Sequence, residues 1–278
     1  LRKAGGWAEW CLTEDSEVSV RLRAAGYHGF YFGETFGRGL IPETFDDYRK
    51  QRFRWTAGPV QQLRRHWRLF LPAPFAPVMP GWTKVLEVAR CATPLVRLGA
   101  IVTALAVLFV TALAGAFGLV ARPDVPGVVW VLVPVSFLAW GLRTMHRYRL
   151  SGCERIGDMI RGEIARSALS YVVLGAGLAG LSSKPLAWRR TPKFGVEREG
   201  ESPFEVARSE TRAGLVCIAL AIVLVTGFPL WGSSLAVLGA LFMLTLGTNF
   251  LCAPLLVMMA RRHARTAAAT IKADTGTA

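Results

Sequence analysis

The chain has 278 residues, of which 52% are hydrophobic, and a formal net charge of +14. A chain both basic and apolar fits a membrane protein with Lys/Arg-rich cytoplasmic loops. Its long apolar runs argue against a soluble nucleic-acid binder, which would carry a basic face on a water-exposed fold. Cys11, Cys91, Cys153, Cys217 and Cys252 stand at no C-x-x-C or Cys/His ligand spacing, so neither a zinc site nor a disulfide framework is implied.

The chain begins at Leu1 with no signal-peptide pattern, and Gly5-Gly6-Trp7 already looks like the inside of a folded motif. It therefore reads as the C-terminal part of a longer protein. Residues 13 to 25 predict a helix. Thr13 can cap it, Glu14 and Asp15 suit the positive end of its dipole, and Gly26 can close it. Tyr27 to Phe32 is short and aromatic and predicts a strand. Pro42 fits the first turn of a second helix. Along that helix Gln51, Arg54 and Trp55 stand at i, i+3 and i+4 and share one face. Gly58-Pro59 is expected to bend or end it. Gln61 to Phe70 mixes basic and bulky apolar residues, as an interfacial helix does. Pro72, Pro74, Pro77 and Pro80 predict a stiff, non-helical connection.

Residues 98 to 121 are apolar and long enough to cross a bilayer, which takes about twenty residues. Val128 to Leu142 is a second, shorter span, and Ala213 to Trp231 and Leu235 to Ala260 form a second pair. Ile164 to Leu181 is apolar but has Arg161 and Arg166 at one end and Lys184, Arg189, Arg190 and Lys193 at the other. Reading it as interfacial or re-entrant keeps every basic loop on one side of the membrane. That gives about four spans and a cytoplasmic C-terminus, with Cys217 and Cys252 as small core residues. His28, His66, His146 and His263 form no cluster and read as surface or interfacial residues. Ionisable residues are nearly absent from the spans, which weighs against a transporter.

Two short motifs carry chemistry. The first is Thr13-Glu14-Asp15, read as a buried acid at a loop-to-helix edge, where an aspartate can serve as general base toward an incoming hydroxyl. The second is Gln51-Arg52-Phe53-Arg54-Trp55. Arg54 offers a planar cationic fork for a departing diphosphate. Gln51 can donate to a phosphate or sugar oxygen, and Trp55 offers a flat face for a pyranose. Arg52 points elsewhere and reads as a surface or lipid-facing charge. With Gly39-Leu40-Ile41-Pro42-Glu43-Thr44-Phe45 between them, these motifs closely resemble the family 2 membrane glycosyltransferases, the group of cellulose synthase and hyaluronan synthase. The likeness is strong over residues 5 to 70 and one of layout beyond.

The resemblance implies the following expectations. The fold is membrane α-helical: residues 1–70 form the C-terminal part of a GT-A-type α/β glycosyltransferase domain. An interfacial connection (71–97), a transmembrane region (98–260) with an interfacial segment at 164–181, and a cytoplasmic tail (261–278) follow. Asp15 is the catalytic base and Glu14 holds the loop. Gln51, Arg54, Trp55 and Trp7 bind substrate, Trp7 through its glycine turn. Trp188-Arg189-Arg190-Thr191-Pro192-Lys193 is similar to the mobile F-x-V-T-x-K gating loop of cellulose synthases, within 184–195. Thr191 and Lys193 would close over the donor, although Arg190 stands where that loop has valine; a headgroup-binding basic cluster is the other reading. Mg²⁺ or Mn²⁺ would be held mainly by a preceding donor-binding domain, since no Asp-x-Asp occurs here, and these residues alone would be inactive. The implied activity is inverting transfer of a hexose from a UDP-sugar to a growing β-glycan at the cytoplasmic side of a bacterial plasma membrane. No nucleic acid is expected as a partner. A lipid acceptor, or a non-catalytic membrane scaffold or pore, stays open.

Overall fold

The structure, a computed structural model, describes residues 2, 5–34, 36–37, 39, 41–118, 125–188, 200–226 and 234–275. It divides into two units, Leu1–Ile101 with Tyr171–Arg198, and Val102–Ser170 with Glu199–Ala278.

In the first unit, α1 (Glu14–Ala24) opens with three acids in its first turn and closes with Arg21 and Arg23 in its last, matching the helix dipole. Its end is as expected: Gly26 takes φ +86° and Tyr27 N donates back to Leu22 O at 3.0 Å. Its start is not. The Thr13 side chain makes no cap, because its hydroxyl accepts from Gln62 Nε2 at 2.9 Å instead. Tyr27–Phe32 is not a strand; Phe30 and Tyr31 are almost fully exposed. A strand needs a neighbouring edge to satisfy its backbone, and the described residues offer none.

The second helix, α2 (Phe45–Arg65), is capped by Thr44, whose hydroxyl accepts from Asp47 N. It does not end at Gly58 and Pro59, where a bend or an end was expected, but continues through them to Arg65. Pro59 cannot donate to the Trp55 carbonyl one turn back. Packing outweighs that loss: every residue from Thr56 to Gln62 is buried. The helix gives way to a 3₁₀ turn at Trp67–Phe70. Gln61 and Gln62 are thus buried anchors, not part of an interfacial helix.

A buried ion pair ties α1 to the end of α2. Glu17 is 1% exposed and accepts from Arg21 Nε and Nη2, both at 2.7 Å, and from His66 Nε2 at 2.6 Å. His66 is therefore structural, and Trp10 packs edge-on against its ring. Burial pushes the Glu17 carboxyl up, but the hydrogen bonds and charges of Arg21 and His66 outweigh it and hold it below the usual range. A carboxyl so lowered stabilises the fold above the ordinary carboxylate range, and loses that effect as pH falls through its depressed value. Glu17→Ala is expected to cost about 3 kcal/mol or more, the usual scale for breaking a buried pair. Thermal unfolding in detergent at neutral pH and in acid checks this, and the gap to the parent should narrow in acid.

The proline-rich segment after the 3₁₀ turn is pinned by the buried ammonium of Lys84, which donates to Leu71 O at 2.7 Å and to Ala76 O. Lys84 lies on α3 (Gly81–Ala116), so the helix holding the first span starts well before residue 98 and continues through Pro94. Glu87 and Arg90 on its first part pair with each other, Glu87 also with Arg23 and Arg90 with Ser16. The same unit contains α6 (Ser170–Leu181). A Cβ at Gly180 would stand 2.7 Å from Ala57 O and 2.6 Å from Val60 Cβ, so α6 lies directly on the buried face of α2.

The second unit holds the rest of α3, α4 (Gly127–Leu150), α5 (Ile156–Ala168), α7 (Pro203–Val206), α8 (Arg208–Thr226) and α9 (Ser234–Thr275). Within it α8 packs closely on α9. A Cβ at Gly214 would be 3.1 Å from Gly247 O, and one at Gly247 would be 3.0 Å from Gly214 O. Small residues that let backbones touch are how helices associate in lipid. Val102, Phe109, Val131 and Phe137 stay exposed, as side chains facing acyl chains must. Among the described residues five segments are long and apolar enough to cross a membrane, and Ile156–Leu181 is one of them. That segment is interrupted at Leu169 between α5 and α6. This is a helical membrane protein.

Candidate active site

The Thr13-Glu14-Asp15 loop is seated on α2 by buried polar contacts. Gln62, fully buried, donates through Nε2 to Thr13 Oγ1 and, at 3.3 Å, to Thr13 O. Gln61 Oε1 accepts from Leu12 N at 3.1 Å. The Cys11 thiol reaches Gly58 O, and burial first of all pushes that thiol up, away from thiolate chemistry. Thr13 lies so close over Gly58 that no side chain fits between them: a Cβ there would be 2.1 Å from Thr13 Oγ1. Gly58 and Arg54 are one helical turn apart on one face. The first turn of α1, which carries Glu14 and Asp15, is therefore held beside the helix carrying Gln51, Arg54 and Trp55.

Asp15 is exposed, not buried as its sequence position implied. Its Oδ1 accepts from Ser16 N at 2.7 Å, which orients the carboxylate. Glu14 and Gln51 are half-buried. Trp55 is 54% exposed, so its face is available to a ligand. The Trp7 turn is tied down by Arg21 Nη2, which donates to Gly6 O at 2.7 Å, and the Trp7 ring is exposed.

The segment after α6 returns to the same place. Leu186 packs with Phe53 against Leu12, Ala57 and Ala176. The Arg54 guanidinium carbon sits 4.9 Å from the centroid of the Trp188 ring, a cation–π distance. Thr191 and Lys193 lie outside the described residues. Among the described residues no three His, Cys, Asp or Glu side chains group as a metal site would need.

Sequence reasoning missed Gly58, Gln61, Gln62 and the Glu17–Arg21–His66 cluster. Paired glutamines after an intrahelical Gly-Pro were the available signal, since two amides on a helix otherwise packed with apolar neighbours need partners.

The family described as glycosyl transferase family group 2 matches residues 1–142, which include both motifs and their seat. The chain belongs to that family. Among curated relatives, Glucomannan 4-beta-mannosyltransferase 9 of Arabidopsis thaliana is 35% identical over 65 residues, 23% of this chain and 12% of that protein. Two proteins of Oryza sativa subsp. japonica, named probable glucomannan 4-beta-mannosyltransferase 9 and 4, are 32% and 34% identical over the same length and the same shares. The match thus spans about an eighth of these relatives. No solved structure matches the chain.

Proposed function

We propose that this chain supplies the acceptor side of an inverting hexosyltransferase that extends a β-glycan at the cytoplasmic face of a plasma membrane, using a UDP-sugar. The observation that carries the reading is the seating of Thr13 on Gly58 and Gln62, which holds Asp15 beside the helix of Arg54 and Trp55. Asp15 takes the proton of the acceptor hydroxyl as that oxygen attacks the anomeric carbon from the face opposite the diphosphate. Arg54 and Gln51 hold the charge that gathers on the departing UDP. Trp55 and Trp7 bind the acceptor sugar, and Glu14 holds the loop. Thr191 and Lys193 close over the donor. A divalent metal, Mg²⁺ or Mn²⁺, would neutralise the diphosphate from residues outside this stretch. The relatives' names, which speak of mannosyl transfer in glucomannan, favour a polysaccharide product over a lipid-linked sugar.

The test is the product formed from radiolabelled nucleotide hexoses by membranes holding the full-length protein. A water-soluble or insoluble polymer cut by a β-glycanase supports the reading. A label that is wholly solvent-extractable means a lipid acceptor, and no incorporation from any donor removes the proposal. In the same membranes Trp55→Ala is expected to depress polymer synthesis at least tenfold more than UDP release without acceptor. An equal fall in both makes Trp55 a packing residue or a donor contact.

A further inference from the structure

Within the second unit, the end of α4 and the middle of α5 line an open surface pocket of about 200 Å³ formed by Arg147, Tyr148, Ser151, Glu163 and Arg166. The two helices meet through Tyr148, whose hydroxyl would be only 2.3 Å from a Cβ at Gly162. Glu163 is already answered: Arg166 Nη2 and Nε reach its Oε2 at 2.6 and 2.7 Å, and the Tyr148 hydroxyl bonds it as well. Ser151 Oγ donates to Tyr148 O at 2.8 Å and keeps its lone pairs and its place on the wall. Arg147 is different. Its side chain is exposed, its Nη2 donates only to Thr144 Oγ1 at 3.2 Å, and it has no carboxylate among the described residues. The pocket therefore holds two guanidinium groups against one carboxylate. The carbonyls at the end of α4 oppose an anion, and Arg147 in its last turn, on the wall of the pocket, offsets them.

The surroundings point to one source for that anion. Arg143 begins the basic end of an otherwise apolar helix. Trp140, stacked under Arg166 at 5.9 Å, stands at the border between the two, where aromatic residues mark the headgroup level. Leu150, Ile156 and Ile160 are exposed beside the pocket and would meet acyl chains.

We propose that this pocket binds the phosphate of an anionic phospholipid, with Arg147 as the main contact and Arg166 as the second. A phosphodiester bound there accepts from the Arg147 fork as planar guanidinium groups prefer.

The experiment is thermal unfolding of the full chain in neutral detergent, titrated with dioctanoyl phosphatidylglycerol, dioctanoyl phosphatidylcholine or inorganic phosphate. The expected result is a saturable rise with phosphatidylglycerol alone. Arg147→Gln should weaken half-saturation about tenfold or more, the scale of a lost hydrogen bond to a charged group. Arg149→Gln, an exposed residue with the same charge that does not line the pocket, should keep the parent response. An unchanged response in Arg147→Gln overturns the proposal. So does an equal shift from inorganic phosphate, which would make this a free-anion site. An equal shift from phosphatidylcholine, or an equal loss in Arg149→Gln, would reduce it to nonspecific lipid or surface charge.

Discussion

Asp15→Asn in the full-length enzyme is expected to abolish transfer while leaving UDP affinity within a few-fold of the parent. The carboxylate lies on the first turn of α1, exposed, with Oδ1 held by Ser16 N and no cation paired to it among the described ion pairs. Asparagine keeps the shape and the backbone bond but cannot take a proton. Removing a general base costs about a hundredfold to ten-thousandfold in rate. Steady-state transfer and equilibrium UDP binding check this together. Transfer within a few-fold of the parent would mean that Asp15 only completes a helix start.

The second large effect is expected at a residue that touches no substrate. Gly58→Ala places a methyl 2.1 Å from Thr13 Oγ1 and 2.8 Å from Thr13 Cγ2. The helix cannot yield, because Ala57 and Val60 beside it are fully buried, so the loop must. Moving Thr13 strains or breaks its bond to Gln62 and carries Asp15 with it. Overpacking of this kind costs about 1–3 kcal/mol in stability, and a shift of about 1 Å at a reacting group can cost about a hundredfold in rate. Thr13→Gly removes all three clashing atoms, so the double variant should recover most of the stability that Gly58→Ala loses. Parent-like stability and transfer in Gly58→Ala would show that the loop is not seated there.

Much of this was legible in the sequence because it depends on local chemistry. The i, i+3, i+4 spacing put Gln51, Arg54 and Trp55 on one face, and the run of acids before Val18 opened α1. Gly26 ended that helix as a left-handed glycine does. What the sequence hid depends on who packs against whom. Pro59 looked like a helix breaker because propensity is local, yet burial of residues 56 to 62 keeps α2 intact. Thr13 looked like a cap because its competitor, Gln62, is 49 residues away in the chain. Asp15 was read as buried, but only the residues before it, Cys11 to Thr13, sink into the seat. His66 seemed a surface histidine until Glu17, also distant in sequence, was found beside it. The approach of Trp188 to Arg54 was equally out of reach, since it requires α6 to lie on α2.

That approach makes Arg54 the most direct point of attack on the whole account, which holds that the donor's diphosphate meets Arg54 while the acceptor's hydroxyl meets Asp15. The measurement is the UDP affinity of the full-length Arg54→Gln enzyme beside that of Asp15→Asn. Loss of a charge-assisted bond to phosphate is worth about 1.5–3 kcal/mol, so Arg54→Gln should bind UDP about ten- to a hundredfold more weakly, and Asp15→Asn should bind it as the parent does. Parent-like UDP affinity in Arg54→Gln, or the same loss in both variants, would contradict the division of roles between the two motifs.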